Sequence, residues 1–217
     1  MSATSARTRL TYAFDAYCGW CYGFGPALHA FAEANAERIE LRVLSGGLFT
    51  GHAARAVAFY PHIPGANARI TELTGVTFGA AYEKMLAEGT TVMDSADAAT
   101  ALVALRSQPG VTDLDASAAL QRAWYRAGRS LSDPAVHRDV AVQLGVDADA
   151  VAAAYADPAT RAEAEADFLE VRRLGTDSYP TLLLHTETGI DRLGGPVSSA
   201  ESLTRALDRH LATEAAA

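Results

Sequence analysis

The order in which the hydrophobic period changes along the chain limits the fold more than any other feature. Leu10, Tyr12 and Phe14 alternate with Thr11 and Ala13, the period-two pattern of a strand. From Cys18 the pattern turns helical and runs through Leu28 and Phe31 to about Asn35. Ile39, Leu41 and Val43 then alternate with Glu40 and Arg42, and this second strand stops at Ser45-Gly46-Gly47. A β-α-β unit therefore opens the chain. At the far end, Leu182-Leu183-Leu184 reads as a strand buried on both faces. Thr188-Gly189 fits a turn, Ile190 to Leu193 a return strand, and Ser198-x-x-Glu201 a capping box before a helix carrying Leu203, Leu207 and Leu211.

Between these ends there is little strand-like alternation and much alanine. Gly51-His52 and Pro61-His62-Ile63-Pro64-Gly65 read as loop. Helices are predicted after Asp94-Ser95, after Thr112, at Asp133-Pro134 and at Asp157-Pro158, where an N-cap is followed by a good first-turn residue. The expected architecture is an α/β domain built from residues 1–48 and 165–217, interrupted by a helical insertion over 49–164.

Composition narrows the partners. Of 217 residues, 49% are hydrophobic and 20% charged, enough apolar material for a substantial core, and the formal net charge is -8. An acidic surface repels phosphate backbones and anionic membranes, so neither nucleic acid nor a membrane is an expected partner. The first residues contain no apolar h-region and no stretch is long enough to span a bilayer, so the cytoplasm is the expected location.

The chain has only two cysteines, in Cys18-Gly19-Trp20-Cys21. The pair follows a predicted strand and opens a predicted helix, where unsatisfied N–H groups and the helix dipole stabilise an anion such as a thiolate. Cys18 is the more exposed, attacking sulfur. Cys21, one turn on, can resolve a mixed disulfide. A structural zinc site would need two further ligands at short spacing; no third cysteine exists, and His52 and His62 are ten residues apart. No metal or organic cofactor is required. Trp20 sits in too tight a turn to be buried and is expected on an apolar, substrate-facing surface. Asp15 can cap the helix or tune the thiols, with capping ahead. Pro26 should kink the first helix or restart it. His29 lies about 16 Å along a straight helix from Cys18, too far to act as its base. Pro180, after Ser178-Tyr179 and before the apolar strand, is either an ordinary loop proline or a cis proline at an edge that can pair with an incoming chain.

Taken together, these residues resemble the DsbA family of thioredoxin-fold proteins, and more closely its cytoplasmic branch of disulfide oxidoreductases and isomerases. The segments that carry the likeness are Asp15 to Pro26, Leu44-Ser-Gly-Gly-Leu48, Thr74 to Phe78, Ala123 to Gly128 and Ser178-Tyr-Pro-Thr-Leu182. The resemblance implies a thioredoxin-like fold with an inserted all-helical subdomain, and a thiol–disulfide oxidoreductase acting through Cys18 and Cys21. It implies a cis Pro180 that lies with Tyr179 against those cysteines, Asp15 and Gly19 in supporting positions, and protein or small thiol and disulfide substrates, glutathione among them. The Gly19-Trp20 dipeptide differs from the Pro-His of periplasmic members and the Gly-Pro of thioredoxin, so it leaves the redox direction open. A sister group, the 2-hydroxychromene-2-carboxylate isomerases and kappa glutathione transferases, is the alternative. Its members typically carry serine at the attacking position, and the presence of both cysteines favours disulfide chemistry. A non-enzymatic binding module is the second alternative.

Overall fold

The computed structural model describes residues 7–214. The chain opens with β1 (Thr8–Phe14), α1 (Gly19–Ala34) and β2 (Ile39–Ser45). It continues through β3 (Arg55–Ala56), α2 (Ile63–Thr74), α3 (Ala80–Glu88) and β4 (Val92–Met93). Then come α4 (Ser95–Arg106), α5 (Asp113–Tyr125), α6 (Pro134–Gln143), α7 (Ala148–Ala156) and α8 (Pro158–Arg173). It closes with β5 (Thr181–His185), β6 (Ile190–Gly194) and α9 (Ala200–Glu214).

Four strands form one mixed sheet in the order β2-β1-β5-β6. β1 pairs parallel with β2, Tyr12 opposite Val43, and antiparallel with β5, Tyr12 opposite Leu182. Strand alternation sorts the side chains between two layers. Leu10, Tyr12 and Phe14 pack with Phe24, Leu28 and Phe31 of α1 and with Leu203 and Leu207 of α9. On the other face Ala13 and Leu44 pack with Val171 of α8. With helices on both sides, β5 has no polar face, which is why Leu182, Leu183 and Leu184 run together.

A buried ion pair ties α4 and α8 to the sheet. Arg106 donates to Asp167 at 3.0 Å and to the Val43 carbonyl at 3.1 Å, and Asp167 is 2% exposed. The predicted caps are in place: Asp94, Thr112, Asp133 and Asp157 each accept from N–H groups of the helix they precede.

The structure corrects the sequence reading at several places. The block between β2 and β5 is not all helical: β3 and β4 form a ladder, Arg55 opposite Met93, whose two-residue strands are too short to show alternation. Ile63-Pro64-Gly65 is not loop but the first turn of α2, where a proline's missing N–H costs nothing. Helices α3 and α7 were not anticipated. The capping box is displaced: Ser199, not Ser198, accepts from the Ser202 N–H, while Ser198 Oγ accepts from Gly195. Pro26 lies within α1, which neither ends nor restarts there. No described helix is long and apolar enough to cross a membrane.

Candidate redox site

β1 ends at Phe14, and a tight turn leads into α1. The Cys18 N–H donates to the Asp15 carbonyl at 3.1 Å, and Cys18 is the N-cap residue, extended in backbone conformation. Cys21 therefore lies one turn into the helix. Both cysteines are free thiols, Cys18 7% exposed and Cys21 fully buried.

Asp15 does not cap α1. Its Oδ1 accepts from the Tyr17 N–H at 3.0 Å and its Oδ2 from the Leu48 N–H at 2.8 Å. Three residues ahead of the N-cap, the carboxylate faces the turn and the neighbouring loop rather than the helix's free N–H groups. Burial pushes its carboxyl above the ordinary value, against hydrogen bonds from Leu48, Ser95 and Tyr17 that pull it down.

The loop after β2 braces the other side. The Tyr179 hydroxyl donates to the Gly46 carbonyl at 2.9 Å, and burial first of all pushes that phenol up to about 12. A Cβ on Gly46 would lie 1.9 Å from Tyr179 Cζ, so only glycine admits the ring. Gly46 to Leu48 thus holds both the redox turn, through Asp15, and the Pro180 loop, through Tyr179. The Tyr179–Pro180 peptide bond is cis. The Tyr179 carbonyl accepts from Cys18 Sγ at 3.4 Å, across 161 residues of sequence. The structure thus brings Cys18, Cys21, Tyr179 and Pro180 together at one end of the sheet, where the central strand β1 finishes and its antiparallel neighbour β5 begins.

Gly19 and Gly23 face Ile70 of α2. A Cβ on Gly19 would lie 2.9 Å from Ile70 Cδ1, and one on Gly23, a turn later, 2.7 Å from Ile70 Cγ2. α2 docks on this bare stripe of α1. Trp20 is half-buried and lines, with Cys18, a recess between the cysteines and α2. His29 bonds the Gly25 carbonyl through Nδ1 at 3.0 Å, a local partner on its own helix.

Cys21 is held as a thiol. Burial pushes it well above the ordinary value, followed by its hydrogen bond with Cys18 and that group's charge. Tyr12, opposite it on β1, is also buried, and its hydroxyl donates to the Cys21 carbonyl at 3.5 Å. The sequence reading missed Tyr12, although its period-two position facing α1 was visible. It also gave no role to Asn67, which no local pattern marks, or to Tyr125, which lies within the Ala123 to Gly128 segment of the resemblance.

No curated protein matches the chain in sequence. Its fold is similar to that of the cytosolic disulfide reductase DsbM from Pseudomonas aeruginosa, with a TM-score of 0.80 and 27% identity over 94% of this chain and 99% of that one. A structure of the same reductase with GSH gives a TM-score of 0.77 at 29% identity, covering 94% and 98%. DsbA from Pseudomonas aeruginosa shares the fold at a TM-score of 0.58 and 17% identity, covering 99% and 88%. The model of the DSBA-like thioredoxin domain matches residues 9–195. With that match spanning most of the chain, and with a two-cysteine turn and a proline loop meeting at one end of the central strands of a thioredoxin-type sheet, this protein belongs to the DSBA-like thioredoxin domain family.

Proposed function

We propose that this protein is a thiol–disulfide oxidoreductase in which Cys18 attacks, Cys21 resolves, and the Tyr179–Pro180 loop holds the substrate. The observation that carries the reading is the 3.4 Å approach of Cys18 Sγ to the Tyr179 carbonyl, with Cys21 one turn further along α1. Pro180 stands in the loop just ahead of β5 and carries no N–H, so the loop backbone can meet an extended chain beside the reacting sulfur.

Cys18 sits at the N-cap of α1, with its sulfur turned to the Tyr179 carbonyl rather than sealed in the helix as Cys21 is. The thiolate attacks one sulfur of a substrate disulfide. A Cys18–substrate bond forms, the old S–S bond breaks, and the other sulfur leaves with the electron pair and takes up a proton. Capping Cys18 removes the neighbouring charge that helps hold Cys21 protonated, so Cys21 loses its proton more readily at this stage. Cys21 then attacks Cys18 Sγ, which releases the second substrate thiol and leaves a Cys18–Cys21 disulfide. The substrate gains two electrons and the enzyme loses two. Two equivalents of a small thiol such as glutathione restore the dithiol. The likeness to a cytosolic disulfide reductase supports the reducing direction and a cytoplasmic location. Protein disulfides and small disulfides are both suitable substrates, with Trp20 and the helices of residues 49–164 shaping the groove beside the domain of residues 1–48 and 165–217.

Insulin reduction with glutathione as donor tests this. Cys18→Ser should abolish turnover, and Cys21→Ser should accumulate a mixed disulfide at Cys18. Turnover that survives in Cys18→Ser would remove that sulfur from the mechanism.

A further inference from the structure

Beside Cys18 the fold encloses a recess of about 160 Å³, lined among others by Trp20, Asn67, Tyr82, Trp124 and Tyr125. Its walls mix aromatic with aliphatic and polar side chains, and it is large enough for part of one residue rather than a length of peptide. Asn67, His62 and the hydroxyls of Tyr17 and Tyr125 bring polar atoms to it, and Tyr125 is the one whose hydroxyl is placed against the Cys18–Cys21 turn. The residue is 1% exposed, and its hydroxyl has no hydrogen-bond partner among the described residues.

The hydroxyl end of the ring is the end that reaches the redox segment: a Cβ on Gly19 would lie 3.9 Å from Tyr125 Oη. The ring cannot swing away. Tyr22 stacks on it at 4.6 Å, Tyr82 meets it at 5.2 Å and Phe78 at 5.6 Å. Burial, then Tyr82, the two cysteines and Asp15, push the phenol well above its ordinary value, so it remains a donor. A buried donor without an acceptor is costly to keep, and the recess beside Cys18 is the place from which an acceptor can come.

We infer that Tyr125 donates a hydrogen bond to an oxygen of the cysteinyl unit joined to Cys18, which makes the recess a subsite for that unit's own carbonyl or carboxylate. This rests on Cys18 being the attacking sulfur. The oxygen is only a few bonds from the substrate sulfur, so one fixed donor can orient both. A polypeptide half-cystine and a small cysteinyl thiol offer the same chemistry.

The test uses the full chain in a Cys21→Ser background, so that the reaction stops at the mixed disulfide while the displaced half leaves as a thiol. Three probes are compared: glutathione disulfide, a cystine-bridged peptide, and cystamine, which has no oxygen. Tyr125→Phe keeps the ring and removes an unsatisfied group, so the protein should fold. The rate ratio of the oxygen-bearing probes to cystamine should fall about tenfold, the size of one good hydrogen bond. The pH profile of Cys18 alkylation should not move. A fall confined to glutathione disulfide supports the inference and assigns the recess to small thiols; one confined to the peptide supports it and assigns the recess to polypeptides. An unchanged ratio overturns it. An equal loss for all three probes with a displaced pH profile also overturns it, because the hydroxyl would then act on Cys18 itself. A parent protein whose Cys18 reacts with no probe would bring down the redox proposal, and this inference with it.

Discussion

Replacing Gly46 by alanine should damage the redox site without touching a cysteine. The added Cβ would lie 1.9 Å from Tyr179 Cζ and 2.2 Å from its Cε1 and Oη, where carbon atoms need about 3.5–4.0 Å. The ring must swing out and lose its 2.9 Å hydrogen bond to the Gly46 carbonyl. That bond contributes about 0.5–1.5 kcal/mol, and lost ring packing adds a comparable amount, for a total of about 2 kcal/mol. In a chain of this size that lowers Tm by roughly 4–8 °C. Because the Tyr179 carbonyl is the group Cys18 reaches, kcat/KM for disulfide reduction should fall about tenfold or more through misalignment. Thermal unfolding followed by circular dichroism, with insulin reduction on the same samples, measures both. Gly46 does not use the left-handed backbone region, so alanine is conformationally acceptable there. In a Tyr179→Ala background the same change should therefore cost less than about 0.5 kcal/mol. Equal costs of Gly46→Ala with and without the Tyr179 ring would refute the reasoning.

Two further outcomes follow from the site. Alkylation of the reduced protein near neutral pH should modify Cys18 on the order of 100-fold faster than Cys21, which burial first, and then Cys18, keep protonated. Peptide mass spectrometry with and without denaturant reads this, and comparable labelling of both in the native protein would contradict it. Asp15 should give a characteristic pH dependence. Its carboxyl holds a proton more tightly in the folded than in the unfolded chain, so its contribution to stability falls as pH rises from the ordinary carboxylate value through the raised folded one, then levels off. Relative to Asp15→Asn, the parent should gain stability on acidification through that window, by about 1.4 kcal/mol for each pH unit between the two values. Urea unfolding across the acid range measures the difference, and a slope of the opposite sign would sink the assignment.

The parts legible in the sequence were those governed by near neighbours. The β1-α1-β2 unit, four N-caps and the placement of the cysteine pair at a helix start all depend on contacts within a few residues. Elements with weak local signals escaped, such as the two-residue strands β3 and β4. Asp15 shows where this kind of reading stops. Its position relative to α1 suggested a cap, yet its second oxygen is satisfied by the Leu48 N–H, 33 residues away.

The sequence alone determined that two sulfurs would stand a turn apart where a helix begins, because the switch of hydrophobic period and the three-residue spacing are properties of the local chain. Only the tertiary structure decided what faces those sulfurs. Tyr179 lies 161 residues from Cys18, Tyr179 and Gly46 are 133 apart, and Tyr125 comes from a helix that the sequence pattern ties to nothing nearby. Such contacts arise when the sheet and the helices bury their apolar faces together, and that packing, rather than any local rule, sets the surroundings of the reactive thiol.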